Sequence, residues 1–243
     1  MAEVSGEIIK IKEETYDVKT FRLKLTKSIN FIPGQYCLVS ITGNKEFEGE
    51  TKPFTFANSP TEKGFIELTI KQIGKFTTAL HSLRIGDKLK IEGPYGESLN
   101  FDKSIKDDII FIAGGSGITP FISAIRYSIA KKLPNKITLF FSNRTEKDII
   151  YKKELEEIKN KDINVIHTLS QEVPEGGSGE TGRINREMIE KYVKNPKEKL
   201  WYICGPPPMV NSIKEILLGM GIPQERLRIE DWQIPGKHDD KNG

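Results

Sequence analysis

Along the first part of the chain, apolar positions come in short, partly alternating runs. GEIIKIKEE, VKTFRLKLT, QYCLVSIT, FIELTIKQ and DKLKIEG are rich in β-branched and aromatic residues, which predicts strands. Turn residues separate them: Pro33-Gly34, Thr42-Gly43-Asn44, Glu62-Lys63-Gly64 and Ile85-Gly86-Asp87. One helical stretch interrupts, FTTALHSL, with Phe76, Leu80 and Leu83 on one face. Short strands at this spacing predict a small closed antiparallel β-barrel.

After SIKDD the pattern changes. The run IIFIA following Asp108 is continuously apolar, as expected of a strand buried on both faces. A glycine loop and a helix follow in GGSGITPFISAIRYSIAKK. Then strand-like KITLFFS, INVIHTLS, KLWYIC and RLRIE alternate with helical YKKELEEIKN, NREMIEKYV and PPMVNSIKEILLGM. That alternation predicts a doubly wound parallel α/β sheet. The expected organisation is a barrel domain over residues 1–104 and an α/β domain over residues 105–243, with the boundary near Lys103 to Lys106. No internal repeat is visible. EVPEGGSGET, 172–181, has the composition of a flexible surface loop.

Composition narrows the chemistry. Of 243 residues, 37% are hydrophobic and 29% charged, the balance of a soluble globular protein. No apolar run approaches the roughly 20 residues that cross a bilayer. The start, MAEVSGEIIKIKEE, is acidic and strand-like rather than a signal peptide, so a cytoplasmic location is expected. A net charge of +3, with lysines interleaved among carboxylates, describes a solvated surface and argues against nucleic acid. Two cysteines, Cys37 and Cys204, cannot supply a four-thiolate cluster or zinc site. His81, His167 and His238 have no ligand spacing, so no metal is expected.

AGGSGITP lies where a parallel strand gives way to a helix. Glycines there let backbone approach a ligand, and the helix start favours an anion, so the loop is either a nucleotide site or a tight strand-to-helix turn. It departs from the dinucleotide fingerprint, because Pro120 stands where a third glycine would be. CGPPPM occupies the same kind of place before the last long helix, and two such loops can flank one ligand. On the barrel side, KPFT sits on a strand, and IKQIGKFTTAL runs from a strand through Gly74 into a helix. The free amides of that helix start and Thr77 or Thr78 suit a phosphate or a plain cap.

The order KPFT, GKFT, GGSGITP, CGPPPM resembles the ferredoxin–NADP+ reductase superfamily of flavoenzymes, over about Glu7 to Trp232. EGPYG, 92–96, and TGRI, 181–184, add to the likeness. The resemblance implies an FAD-dependent NAD(P)H oxidoreductase without an iron–sulfur domain of its own. Lys52, Pro53, Phe54 and Thr55 would form the flavin motif, with Thr55 near the reactive flavin nitrogen and Phe54 against the ring or ribityl chain. Lys52 replaces the family's arginine, a point charge instead of a fork, which leaves FMN open beside FAD. Ile70, Lys71, Gly74, Lys75, Phe76 and Thr77 would complete the flavin site, its phosphates held by amides and the Thr77 hydroxyl. Gly114, Gly115, Ser116, Gly117, Ile118 and Thr119 would line NADH or NADPH, with Asn143 and Arg144 toward the adenosine ribose. Cys204, Gly205, Pro206, Pro207 and Met209 would border the nicotinamide. Glu230 would stand near a proton path, and Trp232 would cover the flavin.

In such enzymes the cofactors carry the chemistry and the protein positions them. Hydride transfer from the nicotinamide needs proximity and dry packing more than an acid or base. Thr55, Cys204 and Glu230 are the residues expected at the reacting centre. The electrons would pass singly to a separate acceptor: a ferredoxin, a haem or cluster protein, an oxygenase component or a small molecule. Two other readings stay open, an electron-feeding subunit of a larger complex and a nucleotide-binding regulatory module. For Cys204 the expected role is a small, polarizable side chain packed beside the nicotinamide.

Overall fold

The computed structural model describes residues 2–174 and 179–230. In the first half, β1 (Ala2–Thr15), β2 (Val18–Leu25), β3 (Tyr36–Ile41), β4 (Lys52–Thr55), β5 (Ile66–Lys71) and β6 (Lys88–Tyr95) form one antiparallel sheet, ordered β4-β3-β6-β1-β2-β5. Register irregularities in β1 between Ile8 and Lys10 and between Glu13 and Thr15 let this long strand coil. The sheet closes on itself just after β4. Phe56 bridges Leu68 of β5, and Ala57 N–H donates to Glu67 O at 2.9 Å. The alternating apolar faces fill the barrel with Ile8, Phe21, Leu23, Val39, Phe56, Leu68 and Ile91. The helix α1 (Lys75–His81) buries Phe76 and Leu80 against that core.

The second half holds β7 (Ile109–Gly114), α2 (Thr119–Lys131), β8 (Ile137–Asn143), α3 (Lys152–Glu156), β9 (Ile163–Leu169), β10 (Glu180–Thr181), α4 (Arg186–Tyr192), β11 (Leu200–Cys204), α5 (Pro207–Gly219) and β12 (Leu227–Ile229). Its sheet runs β10-β9-β8-β7-β11-β12 with every pair parallel. β7 is buried along its whole length, as its continuous apolar run requires. From β7 the chain turns outward to β8 on one side, and later returns to place β11 on the other. The crevice at that reversal is where open α/β sheets bind ligands.

Two details differ from the sequence expectation. β1 extends beyond GEIIKIKEE at both ends because its outer residues pair with β6 and β2. The short β10, invisible to periodicity in two residues, widens the parallel sheet beside β9. Core side chains cross the segment between β6 and β7. Val18, Ala57, Leu99 and Phe101 share one cluster with Phe111, Phe121 and Tyr202. No helix among the described residues is long and apolar enough to cross a membrane.

Candidate functional site

A cleft of about 850 Å3 separates the two halves. The barrel contributes Pro53, Phe54 and Thr55 from β4, Thr69 and Lys71 from β5, and Val18, Ile73 and Thr77 nearby. Strand alternation explains this set: Thr69 and Lys71 face the cleft, whereas Ile70 between them is fully buried in the barrel core. Ile70 was expected at the cofactor; its side chain is turned away by that same period of two.

The α/β half contributes both glycine-rich loops. Gly114 ends β7; Gly115, Ser116 and Gly117 form a 3-10 turn with Ile118, and Thr119 and Pro120 open α2. Cys204, Gly205, Pro206, Pro208 and Met209 come from the β11–α5 junction. The loops touch each other, which explains two of the glycines. A Cβ on Gly117 would sit 2.3 Å from Cys204 O, and one on Gly114 would sit 2.6 Å from Met209 Sδ. Ile118 is fully buried in the α/β core, and Pro208 rather than Pro207 lines the cleft, because the helix start rotates Pro207 outward.

The carboxyl ends of β8 and β9 supply Ser142, Asn143, Arg144 and Ser170, and the following segment adds Asp148 and Ile150. The Asn143 side chain is buried, yet neither its amide nitrogen nor its carbonyl oxygen has a partner among the described residues. A buried amide unpaired at both ends is costly, which makes Asn143 a candidate for hydrogen bonds from a ligand. Arg144 and Arg183 stand exposed at the same end of the cleft. Asp148 is held below the usual carboxylate range against its partial burial, by hydrogen bonds from Thr145 and Tyr16 and by Lys71.

At the other end, Cys204 Sγ donates to Glu230 Oε2 at 2.7 Å. Burial first, and the Glu230 carboxylate second, push this thiol well above its ordinary 9.0. It therefore stays protonated near neutral pH and is not a thiolate nucleophile. Trp232 and His238 lie outside the described residues.

A second hollow, about 690 Å3, adjoins the cleft through Pro53, Phe54, Ile73 and Thr77. Lys52, Gly74, Lys75 and Phe76 line it. Lys52 Nζ lies 2.9 Å from Glu50 Oε1, so its charge already has a partner. The Thr77 hydroxyl accepts the Ile73 and Gly74 N–H groups at 2.9 and 3.0 Å and so caps its own helix. The first-turn amides of Lys75, Phe76 and Thr77, which no helix carbonyl can reach, and the Lys75 ammonium, which enters no ion pair among the described residues, are left for a ligand.

Residues missed by sequence reasoning are Val18, Thr69, Ile73, Asp148, Ile150, Ser170, Arg183 and Pro208, with Ser212 and Ile213 of α5. The alternation of β5 would have exposed Thr69. The others depend on how the two sheets face each other. Among the described residues, no group of three or more His, Cys, Asp or Glu is placed to hold a metal ion.

Comparison with known proteins divides the chain in a similar way. The family model of the oxidoreductase FAD-binding domain matches residues 5–99, and that of the oxidoreductase NAD-binding domain matches residues 111–215. The chain is 32% identical over 222 residues to sulfhydrogenase 1 subunit gamma of Pyrococcus furiosus, covering 88% of this chain and 73% of that one. It is 34% identical over 183 residues to NADH-cytochrome b5 reductase 2 of Mycosarcoma maydis, covering 70% of this chain and 51% of that relative. The chain thus spans between half and three quarters of the length of these relatives. Among solved structures, the ferredoxin reductase in carbazole 1,9a-dioxygenase superposes with a TM-score of 0.82 at 26% identity, over 94% of this chain and 68% of that one.

Proposed function

The chain belongs to the ferredoxin–NADP+ reductase superfamily, an FAD-dependent oxidoreductase with NAD(P)H as donor, and we propose that its cleft brings the nicotinamide against the flavin and feeds a separate acceptor. The observation that carries this reading is the facing of two motif sets. Pro53, Phe54 and Thr55 of β4 form one wall, and the glycine loops after β7 and β11 meet at the switch point of the other. The unpaired Asn143 amide and the open backbone at Gly115, where an added side chain would meet nothing within 4 Å, fit a nucleotide on the α/β wall.

Bound FAD would supply the chemistry, accepting two electrons as a hydride and giving them up singly. The chain's own residues position and enclose. Phe54 offers an apolar face beside Thr55, a buried residue that lines the cleft and whose hydroxyl would stand at the reacting centre. Lys71 and the first-turn amides beyond Gly74 would hold the flavin's polar edge and phosphates. The adjoining hollow beside Lys52, Lys75 and Phe76 gives room for the adenosine part of FAD, which FMN lacks. Ser116, Gly117 and Thr119 would hold the nicotinamide nucleotide's phosphates, and Asn143 and Arg144 its adenosine ribose. Cys204 closes the site with a protonated thiol, and Glu230 beside it keeps a carboxylate within reach of that proton.

The named relatives act with different partners: a sulfhydrogenase, cytochrome b5 and a dioxygenase system. An electron acceptor outside this chain is the reading these share, and a small molecule is the alternative to a protein in that place. The match to a sulfhydrogenase subunit over 88% of this chain favours, as a second reading, a subunit of a larger redox complex, which the native mass of the purified endogenous protein would test. The function itself is tested by titrating the flavin-loaded protein anaerobically with NADH and then NADPH. Loss of flavin absorbance with one or both is expected. An unchanged spectrum with both contradicts the proposal, and the preferred donor reports what Arg144 and Arg183 recognise.

A further inference from the structure

A buried polar seam joins the two walls of the cleft. From the α/β half, Arg126 of α2 donates through Nε and Nη2 to both oxygens of Glu154 at 2.7 and 2.8 Å. Its Nη1 crosses to the barrel, donating to Glu67 Oε2 and to Ala57 O, each at 2.9 Å. Glu67 is held from its own side by Arg22, at 2.8 Å. Beside this pair, Tyr151 is buried with its backbone at φ +58°, a left-handed conformation that costs a side-chain-bearing residue about 1–2 kcal/mol. Its hydroxyl shares a hydrogen bond with Thr69 Oγ1 of β5. The Thr69 hydroxyl is itself 2.8 Å from Thr20 Oγ1, which donates to Glu14 Oε1 at 2.9 Å.

The placement of this seam matters more than its strength. Buried ion pairs add little net stability, but they fix geometry, since every alternative leaves a charge unpaired. Thr69 lines the cleft on the barrel side, and Ile150, next to Tyr151, lines it on the other. The segment from 142 to 150 carries Asn143, Arg144 and Asp148. It is tied to β8 at one end and, through Tyr151, to the barrel at the other. The ring packs in the core shared with Ile150 and Leu155, and its hydroxyl reaches Thr69 of the barrel.

We infer that the Tyr151–Thr69 hydrogen bond, backed by the Arg126–Glu67 ion pair, is a clamp that sets the nucleotide wall at its working distance from the flavin wall. Tyr151 is a positioning residue: it touches no reacting atom and acts through the segment it anchors. What the clamp serves rests on the proposed function; the clamp itself does not.

Tyr151→Phe removes one oxygen and keeps the ring. In anaerobic rapid mixing, the rate of flavin reduction should fall about ten- to a hundred-fold, the cost of misplacing reactants by roughly 1 Å, with nucleotide affinity within about two-fold. Thr69→Val should give the same fall, and the double variant should fall no further than either single one. An unchanged rate overturns the inference. So do additive losses, and so does a rate loss matched by an equal loss of affinity. In the flavin-free protein, amide hydrogen exchange across residues 142–151 should quicken in Tyr151→Phe; unchanged exchange overturns the clamp. This second readout stands even if neither nucleotide reduces the wild-type flavin, a result that counts against the proposed function alone.

Discussion

On the barrel wall of the cleft, Lys52, Lys71 and the Thr69 and Thr77 hydroxyls already have protein partners; on the α/β wall, several polar groups have none. Lys52 is paired with Glu50, Lys71 with Asp17 at 3.0 Å, and the Thr77 hydroxyl with its own helix start. Opposite them, the Asn143 amide is buried and unpaired, and the Thr168 hydroxyl one strand away is buried without a partner among the described residues. Arg144 and Arg183 enter no ion pair among the described residues. The difference matches two kinds of ligand. A wall whose lysines and hydroxyls are mostly paired offers shape and backbone amides to a resident group, while a wall with open valences gains hydrogen bonds each time a soluble ligand arrives.

The strongest way to break this contrast is to force apart the two loops of the α/β wall with one methyl group. In Gly117→Ala the new carbon meets the Cys204 carbonyl at 2.3 Å, and backbone cannot swing aside as a side chain would. Overpacking of this kind costs about 1–3 kcal/mol or more, so urea unfolding should show a clear loss, and the folded fraction should no longer bind nicotinamide nucleotide. Next in size, Asn143→Leu should act in opposite directions. Removing an unpaired buried amide should raise the melting temperature of the flavin-free protein. Losing its hydrogen bonds should weaken nucleotide binding about tenfold, from a contribution on the order of 1–3 kcal/mol. A lowered melting temperature together with unchanged binding would show that the amide is satisfied within the protein.

Each half of the molecule also holds one buried thiol, Cys37 in the barrel core and Cys204 at the cleft, and pH reports on both. Burial raises the Cys37 thiol above 9.0, and burial with Glu230 raises Cys204. A group whose folded value is raised keeps its proton in the native state while the unfolded chain loses it. Stability is therefore fully present below pH 9.0 and falls as pH rises above it, by up to about 1.4 kcal/mol per pH unit for each thiol. Denaturant unfolding from pH 8 to 10.5 should show that slope, and Cys204→Ala should remove its share; a flat profile contradicts the burial of both. The smallest effect belongs to the barrel wall. Lys52 is half-exposed and already paired, so Lys52→Met should change flavin affinity by less than about 1 kcal/mol in equilibrium dialysis. A larger loss would mean that the lysine leaves Glu50 to meet a phosphate.

Much of this site was legible because strand-to-helix junctions have a fixed geometry. AGGSGITP after an apolar run and CGPPPM after KLWYIC had to reach the same sheet edge if both strands lay in one parallel sheet, and β7 pairs directly with β11. KPFT was placed on a barrel strand by its neighbours' alternation, and it lies there as β4. What escaped was orientation and reach. Ile70 was grouped with Lys71 although a period of two puts them on opposite faces. The pairing of Lys52 with Glu50 two residues away, and the turning of Thr77 onto its own helix, are local choices that residue type alone does not decide. Tyr151 looked like an ordinary helix-start residue in YKKELEEIKN. Its role in the seam comes from Thr69, 82 positions earlier in the chain, a proximity only the docked halves create.

The central claim is that a nicotinamide held by the α/β wall gives its hydride directly to flavin held by the barrel wall. Rapid mixing of the flavin-loaded protein with the preferred nicotinamide nucleotide, deuterated in turn at each face of the nicotinamide C4, tests it most directly. Flavin reduction should slow with one deuterated face only, because the loops after β7 and β11 would present a single face to Phe54 and Thr55. Equal rates with protium and with deuterium at either face, while the flavin is still reduced with that carbon–hydrogen bond as the step observed, would contradict it.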